Sequence, residues 1–383
     1  MGQDVIVIGG GISGAATAYE LARRGVPVTL IERGDLASMA SGWTLAGVRQ
    51  SGRHPAELPL AQAAVARWPR LADELGADVK YRQHGNLRLA RTDDEVPAIR
   101  QVVADGVAAG IPMELIEGSA AVREVAPALT PDIRAASYCP SDGHANPTRT
   151  VRAFAAAAQR LGATIRTQTE VTGIAVEHGR VRGVRTTADT LPAEVVVVAA
   201  GIYTPRLLDP LGLELPLTVT LVPMVQTTVV PETLLPVLGV ADGGFAGRQE
   251  ASGRFRLCGA TRVWDGTRHT DENVMPSLGQ IRRTIADAVT TIPALADVRI
   301  QRVWGGLIDR TPDVIPVLER LPDVEGLVVG AGFSGHGFCL GPVTGEILAD
   351  LATTGTTAHP IVPFARGRFA GRAQEAAALQ MHG

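Results

Sequence analysis

The sequence is poor in the residues that mark several classes of protein. Among 383 residues, aromatic side chains make up 4%, and cysteine occurs three times, as Cys139, Cys258 and Cys339. These cysteines form no CxxC pair, so we expect neither a disulfide scaffold nor a zinc site, and no metal. Such sparing use of cysteine is typical of a reducing compartment, and we expect a cytoplasmic protein.

The sequence also lacks an excess of one charge and long apolar runs. The formal net charge is −3 and 20% of residues are charged, without a basic stripe. Together with the few aromatics, this argues against nucleic acid as a partner. No run reaches the roughly 18 apolar residues of a membrane span. The apolar start at Val5 to Ile8 lacks the basic flank of a signal peptide, so we expect no intrinsic membrane anchor.

Glycine, in contrast, is abundant at 43 residues, and one group of glycines predicts a nucleotide site. Gly9, Gly11 and Gly14 follow the apolar strand at 4–8 and precede a helical pattern over 15–24. In a dinucleotide-binding turn, the first glycine allows the tight bend. The second lets the backbone approach the pyrophosphate, and the third lets the helix pack on the sheet.

A second buried strand over 28–32 ends in Glu32 and completes a βαβ unit. A carboxylate at this position accepts hydrogen bonds from the ribose diol of a dinucleotide. The helix that begins after the glycines offers free N–H groups to the phosphates. The pattern predicts a bound dinucleotide, but by itself it leaves FAD and NAD as alternatives.

The remaining sequence predicts an α/β protein with a further, mixed-sheet part. Buried strands near the start, near 195–199 and near 327–330 belong to one sheet, and the residues between them read as a domain inserted twice. We expect a FAD- or NAD-type nucleotide domain over 1–50, 141–215 and 305–383, and a substrate domain over 51–140 and 216–304. Helices are predicted over 55–80, 93–110, 150–161 and 276–296, with a last helix opening at Pro342, and strands over 85–90, 164–166, 171–177, 181–186, 194–199, 218–222, 225–230, 255–258 and 327–330.

Six spaced segments resemble the D-amino-acid oxidase family of flavoproteins, which includes glycine oxidase, sarcosine oxidase and the opine and hydroxyproline dehydrogenases. The two most specific are WGGLIDRTPDVIPVL and GAGFSGHGFCLGPVTGEILADL. The resemblance implies a Rossmann-like FAD-binding domain of the GR2 type with an α+β substrate domain. The six segments are VIVIGGGISGAATAYELARRG at 5–25, LIERGDLASMASGWTLAGVRQ at 30–50, SDGHANPTRTVRAF at 141–154, VVVVAAGIYTP at 195–205 and the two named above at 304–318 and 330–351.

The resemblance turns the dinucleotide prediction into FAD. If Pro342 sits in the first turn of the last helix, the glycine-rich loop before it aims N–H groups at the flavin ring, where they stabilise charge on the reduced flavin. The residues that the resemblance implies in cofactor binding are Gly9, Gly11, Ile12, Ser13, Gly14, Glu32, Arg33, Ser41, Val171, Ala200, Gly201, Gly306, Gly332, Phe333, Ser334, Gly335, Gly337 and Phe338.

Departures from the family pattern carry further expectations. Covalent members link the flavin to a cysteine shortly before the TPD motif, and Gly306 takes that place here, so we expect non-covalent FAD. Oxidases of the group often carry a lysine near flavin N5, and Arg256 is the best match. Arginine keeps the charge but cannot carry a proton, which favours a dehydrogenase over an oxidase. Cys339 stands where a second carboxylate-binding cation is usual, and we expect a packing thiol there.

Two further side chains are candidate catalytic residues. Arg49 matches an arginine that grips the substrate carboxylate, which a guanidinium can hold with two hydrogen bonds. His336 lies inside the glycine-rich loop and would tune flavin or substrate, although a structural role is an equal alternative. In multi-subunit members a histidine near His144 carries FMN, so FMN is expected only if this chain works in such a complex.

The implied reaction is oxidation of the carbon–nitrogen bond of an amino acid or N-substituted amino acid by hydride transfer to flavin N5, which yields an imine. Substrates of the resembled group are sarcosine, glycine, opines, proline or hydroxyproline, and D-amino acids. The chain resembles the catalytic β-type chains of multi-subunit dehydrogenases, which implies heteromeric partners. The alternatives are a single-chain oxidase that makes hydrogen peroxide, a non-catalytic flavin-binding or electron-relay subunit, and an NAD-dependent dehydrogenase.

Overall fold

The structure is a computed structural model that describes residues 4–267 and 274–370. Its α-helices are α1 (Ile12–Arg23), α2 (Ala40–Trp43), α3 (Leu58–Arg67), α4 (Leu71–Leu75), α5 (Val96–Ala108), α6 (Ser119–Val125), α7 (Pro147–Arg160), α8 (Thr204–Leu208), α9 (Leu278–Thr291) and α10 (Gly337–Thr353). Its strands are β1 (Val5–Ile8), β2 (Val28–Ile31), β3 (Gly47–Val48), β4 (Asn86–Ala90), β5 (Glu114–Glu117), β6 (Ala135–Cys139), β7 (Gly143–His144), β8 (Thr164–Arg166), β9 (Val171–Glu177), β10 (Arg180–Thr186), β11 (Thr190–Pro192), β12 (Val195–Val198), β13 (Thr218–Val229), β14 (Val237–Val240), β15 (Phe245–Gln249), β16 (Arg254–Gly259), β17 (Arg262–Val263), β18 (Ile300–Arg310), β19 (Val317–Arg320) and β20 (Leu327–Ala331).

A six-stranded sheet in the order β19-β20-β12-β1-β2-β8 carries the nucleotide motif. Its strands run parallel except β19, which is antiparallel to β20. The strands are apolar on both faces because both faces are covered. Val5 and Val7 of β1 pack with α1, α7 and α10. Ile6 and Ile8 pack on the other side, with residues of the three-stranded sheet β11-β10-β9 and of α8.

A nine-stranded sheet forms the second part of the molecule, in the order β17-β13-β16-β15-β14-β4-β6-β5, with β18 paired to β13. Most neighbours are antiparallel, and β4 and β14 are parallel. Residues of α6 and α9 pack on this sheet in one apolar cluster. The mixed sheet predicted from the sequence is therefore present.

The boundaries of several predicted elements were wrong. The predicted strands at 218–222 and 225–230 are one long strand, β13, because the long strand β18 pairs with it along its length. The predicted helix at 55–80 is broken around Pro69, so that α3 and α4 are separated by a 3-10 turn. The domain boundary placed between 304 and 305 falls inside β18, whose residues 305–310 belong to the nine-stranded sheet.

The last helix also differs from its prediction. It begins at Gly337 rather than at Pro342, and Pro342 lies inside α10. The predicted role of this proline as a first-turn residue is therefore wrong. The helix opens five residues earlier, so its N-terminal end comes directly after His336, in the glycine-rich loop itself.

Two further observations concern the whole molecule. Within the residues that the structure describes, no helix is both long and apolar enough to cross a membrane. Cys139, Cys258 and Cys339 are free and buried. Burial raises the pKa of each of these thiols.

Candidate active site

The glycine turn after β1 and the loop before α10 line one and the same cavity. The turn contributes Gly9 to Ser13, and the loop contributes Phe333 to Phe338. The cavity continues along the ends of β12 and β2 on one side and along β13 and β15 of the nine-stranded sheet on the other. Two sequence motifs more than 300 residues apart thus meet at a single site.

The glycine turn is shaped for close approach of a ligand. Gly9 has φ of 114°, a conformation that favours glycine, and a Cβ there would lie 2.3 Å from the carbonyl oxygen of Ala199. A Cβ at Gly14 would lie 1.9 Å from the carbonyl oxygen of Gly9, so Gly14 lets α1 pack on the turn. The first turn of α1 leaves N–H groups without partners inside the helix, and these suit an anionic phosphate.

Glu32 ties the glycine turn to the end of β2. Its carboxylate accepts hydrogen bonds from the backbone N–H groups of Gly10 (2.6 Å) and Gly34 (2.8 Å), and it lines the cavity. Beside it, the Arg33 guanidinium lies 4.0 Å from the centre of the Tyr203 ring and donates to the Tyr203 hydroxyl. This end of the cavity offers a carboxylate for a ribose and an arginine–aromatic pair for a base.

At the other end, Asp309 of β18 holds the loop that precedes α10. Its carboxylate accepts a hydrogen bond from the Gly332 N–H, and its backbone carbonyl accepts one from Ser334. Gly332 has φ of 72°, where a side chain would be strained, and a Cβ would lie 2.4 Å from Cγ2 of Thr311. Burial raises the pKa of Asp309 to about 6, although the backbone donors lower it.

Most of the residues expected to bind the cofactor line this cavity, and two do not. Gly14 and Gly332 lie behind it and shape the backbone of the turn and the loop. Ser41 lines the cavity, and its hydroxyl accepts a hydrogen bond from the Ile12 N–H. The expected residues that line the cavity are Gly9, Gly11, Ile12, Ser13, Glu32, Arg33, Ser41, Val171, Ala200, Gly201, Gly306, Phe333, Ser334, Gly335, Gly337 and Phe338.

Arg256 does not take the position expected for a cation beside the flavin. It is absent from the cavity lining, and it forms an ion pair with Glu250 at 2.9 Å. Its Nη1 donates to the carbonyl oxygens of Gly42 and Thr44, just before the cavity-lining Leu45. Arg256 thus contacts the 42–45 loop rather than the cavity. The only lysine of the sequence, Lys80, lies at the surface beside Asp78.

Arg49 lines the cavity at the end where the loop before α10 lies, and a second arginine joins it. Arg49 is 7% exposed, and its Nη1 donates to the carbonyl oxygen of Ser51. The Arg53 side chain also lines the cavity and is 2% exposed, and its Nε donates to the Arg49 carbonyl. Behind them, Arg88 of β4 is buried, and burial lowers its pKa to about 10.

Two buried carboxylates accompany these cations. Asp142 accepts hydrogen bonds from the backbone N–H groups of Gln50 and Ser51 and from the Ser51 hydroxyl, and so fixes the loop that carries Arg49. Glu57 is fully buried, and its Oε2 lies 3.6 Å from Nη1 of Arg53. Arg53 and Glu57 have no family motif, and their one sequence signal is the four-residue spacing from Arg49.

His336 lies directly before α10 and lines the cavity. Its Nδ1 is 2.9 Å from Oε2 of Glu57, and its ring is about nine-tenths buried. Burial lowers the pKa of His336, and the nearby Arg53 lowers it further, against the opposing effect of Glu57. For Glu57 burial raises the pKa, but His336 and Arg53 outweigh it and the pKa falls. The surroundings thus favour the carboxylate form of Glu57 and disfavour an imidazolium at His336.

His144 and Cys339, which the sequence also singled out, both lie buried among other side chains. His144 is 1% exposed and lies outside the cavity lining, and its Nδ1 is 2.8 Å from Nη1 of the buried Arg248. Burial lowers the pKa of His144, and Arg248 adds to the effect. Cys339 is 1% exposed and its thiol donates to the Arg49 carbonyl. Among residues 4–267 and 274–370, no cluster of His, Cys, Asp and Glu is arranged to hold a metal ion.

The model of one protein family, described as DAO, FAD dependent oxidoreductase, matches residues 4–351 of this chain. The fold and the cavity agree with this family. The chain belongs to this family. This FAD-dependent oxidoreductase is 31% identical over 387 residues to a glycine oxidase of Geobacillus kaustophilus (strain HTA426), with 96% of this chain and 98% of that protein covered. It is 30% identical to the beta chain of a sarcosine oxidase from an Arthrobacter species, with 96% and 91% covered.

Solved structures show the same likeness. The crystal structure of L-proline dehydrogenase from P. horikoshii superposes with a TM-score of 0.88 at 29% identity, with 96% of this chain and 98% of that chain covered. The residues present suit FAD. The glycine turn gives a pyrophosphate a close approach without side chains, Glu32 offers its carboxylate, and the loop at 333–338 opens a helix towards the far end of the cavity.

Proposed function

We propose that this FAD-dependent oxidoreductase oxidises the carbon–nitrogen bond of an amino acid or an N-substituted amino acid to an imine. The observation that carries the proposal is the pair of arginines, Arg49 and Arg53, that line the nucleotide cavity at the end formed by the loop before α10. Relatives named as a glycine oxidase, the beta chain of a sarcosine oxidase and an L-proline dehydrogenase support an amino-acid substrate.

In this proposal, Glu32 would hold the ribose of FAD and Gly11 to Ser13 would hold its pyrophosphate. The 333–338 loop, whose residues line the same cavity, would contact the flavin ring. When bound, FAD supplies the hydride acceptor for the substrate carbon. The protein's own part is to hold the substrate in place. Arg49 binds the carboxylate and so fixes the adjacent carbon over the ring, and the buried surroundings exclude water.

The FAD is non-covalent in this proposal. Gly306, which the family resemblance places where covalent members would carry a cysteine, lines the cavity and has no side chain to form a link. The six-stranded sheet then forms the cofactor domain, and the nine-stranded sheet, including residues 305–310, forms the substrate domain.

We further propose that electrons pass to an acceptor other than oxygen, within a cytoplasmic, heteromeric enzyme. The single lysine of the chain lies at the surface, and Arg256 lies outside the cavity, so neither stands in for the lysine of the oxidases. Relatives that are named as single chains of a sarcosine oxidase and of an opine oxidase support partner subunits. A single-chain oxidase remains the second candidate, because the glycine oxidase relative is matched almost over its full length.

Anaerobic mixing of the purified holoenzyme with single amino acids tests the proposal. We expect glycine, sarcosine, proline, hydroxyproline, an opine or a D-amino acid to bleach the flavin absorbance. Turnover with oxygen and with an artificial dye then separates oxidase from dehydrogenase. An electron-relay subunit would show no bleaching with any of these compounds, either alone or with partner proteins, and that result would overturn the proposed function.

A further inference from the structure

Glu57 and His336 form a buried acid–imidazole pair at the cavity, although they come from elements far apart in the chain. Glu57 lies just before α3, and His336 lies just before α10. Oε2 of Glu57 is 2.9 Å from Nδ1 of His336. The contact is an ion-pair contact by distance, and its angles do not meet those of a hydrogen bond. The carboxylate therefore acts on the ring through its charge, which favours a proton on the imidazole and stabilises an imidazolium.

The charged groups around this pair leave a positive site. Arg49 and Arg53 lie on the loop after β3, Arg88 lies on β4 behind them, and the carboxylates of Glu57 and Asp142 oppose them. The thiol of Cys339 on α10 completes the set. Among the residues that the structure describes, these three guanidinium groups outnumber the two carboxylates, and a bound substrate carboxylate would offset part of the positive charge.

Arg53 carries one of these positive charges in a buried position. Its Nη1 is buried and, in the part of the chain that the structure describes, makes no hydrogen bond, although the Glu57 carboxylate is 3.6 Å away. A buried guanidinium donor without an acceptor is rare in proteins because its desolvation is unfavourable. Arg53 therefore adds a positive charge at the cavity lining, which a bound carboxylate would offset.

We propose that Glu57 and His336 act together as the proton acceptor for the substrate amine, and that the substrate carboxylate activates them by neutralising Arg49 and Arg53. This inference rests on the proposed function. In the free enzyme, burial lowers the pKa of His336 and the arginines lower it further, so both disfavour an imidazolium. The bound carboxylate removes that repulsion, so the imidazole becomes a better base when the substrate is in place.

The proton moves from the substrate ammonium to His336, and no other reactant is needed. The N–H bond of the substrate ammonium breaks, and its electron pair remains on nitrogen as the neutral amine that hydride transfer requires. The proton bonds to the imidazole nitrogen that faces away from Glu57. The Glu57 carboxylate stabilises the resulting imidazolium, and the proton returns to solvent when the product leaves.

Proton uptake on binding of a carboxylate without an amine tests this inference without turnover. Acetate is titrated into the holoenzyme by calorimetry at about pH 6, in two buffers that differ in ionisation enthalpy. We expect the wild type to take up roughly half a proton or more per site. His336→Asn should bind acetate with little proton uptake, and Glu57→Gln should take up less than the wild type. His359→Asn is the matched control, since His359 lies outside the cavity beside Glu346.

A pH profile provides the second readout. His336→Asn should lower kcat/KM by about a hundredfold at neutral pH and approach the wild type at alkaline pH, where the amine is neutral in solution. A loss that is equal at every pH would overturn the inference, as would acetate binding with the same proton uptake in wild type and His336→Asn. Failure of the wild type to bind acetate or to react with any amino acid would overturn the proposed function instead. Flavin absorbance of each variant confirms that it folds and holds FAD.

Discussion

The Asp309 carboxylate accepts a hydrogen bond from the backbone N–H of Gly332 at 2.6 Å. This contact joins the end of β18, on the nine-stranded sheet, to the loop that follows β20 on the six-stranded sheet. Because the same loop continues into the cavity lining at Phe333, the two halves of the molecule set its course together.

The first prediction concerns the pH dependence of stability. Burial raises the pKa of Asp309 to about 6, so folding favours the protonated carboxyl. A raised folded-state pKa adds stability at low pH that is lost as the pH rises through about 6. We expect the unfolding free energy of the wild type, minus that of Asp309→Asn, to fall by up to about 3 kcal/mol between pH 4 and pH 7. Urea unfolding of both proteins at several pH values measures this difference in unfolding free energy. A difference that stays constant between pH 4 and pH 7 would contradict the prediction.

The second prediction concerns Glu32. Exchange for arginine removes the acceptor for the N–H groups of Gly10 and Gly34 and places a cation where the ribose is expected. We expect Glu32→Arg to lose most of its FAD during gel filtration. Glu194→Arg is the control, since Glu194 is exposed and outside the cavity lining. Full flavin occupancy of Glu32→Arg would place the ribose elsewhere.

The third prediction concerns Arg49. Arg49→Ala should raise KM at least about tenfold while FAD stays bound, because one member of the Arg49 and Arg53 pair proposed to receive the substrate carboxylate is lost. The KM of Arg49→Lys should lie between the KM values of the wild type and Arg49→Ala, since an ammonium cannot bind a carboxylate with two parallel hydrogen bonds. Arg100→Ala, at an exposed arginine paired with Glu117, should leave KM unchanged. The same KM in the wild type and all three variants would show that Arg49 does not bind the substrate.

The fourth prediction concerns attachment of the flavin. Acid precipitation should release all of the FAD into the supernatant, because Gly306 offers no side chain for a covalent link. Absorbance of the supernatant and the pellet measures the fraction released. A yellow pellet after repeated washing would show a covalent bond to another residue.

The fifth prediction separates two roles of Arg256. If it positions the 42–45 loop, Arg256→Ala should lower the unfolding free energy by about 2 kcal/mol. The substitution removes the hydrogen bonds to the carbonyls of Gly42 and Thr44 and the shorter of two ion pairs of the buried Glu250 carboxylate. The ratio of turnover with oxygen to turnover with a dye should not change. The control is Arg254→Ala on the same strand, which should alter stability by less than about 0.5 kcal/mol. If the ratio of turnover with oxygen to turnover with a dye changed while stability did not, Arg256 would act at the flavin and not on the 42–45 loop.

The sequence predicts the cofactor end of the site well because its constraints are local. The spacing of Gly9, Gly11 and Gly14 follows from backbone geometry within one turn, and the acid at Glu32 follows from the length of one βαβ unit. Extended runs such as 195–198 are buried on both faces and read as strands without knowledge of their neighbours.

The substrate end depends on contacts between distant segments, and there the sequence is less informative. Glu57 meets His336 only after α3 and α10 pack together. Arg256 shares its strand with cavity-lining residues but turns towards the carbonyls of Gly42 and Thr44 instead. The early start of α10, ahead of Pro342, also comes from packing, because local preference places a proline in the first turn.

The burial of all three thiols has a practical consequence. Since the thiolate is the reactive form and each thiol here is both enclosed and hard to deprotonate, an alkylating reagent in native buffer meets almost no target. The labelling rate at Cys139, Cys258 and Cys339 therefore reports how often each region opens to solvent. Cys339 lies in α10, next to the loop at the cavity, and Cys258 lies in β16 of the nine-stranded sheet. Their labelling rates would therefore measure local opening in these two parts of the molecule separately.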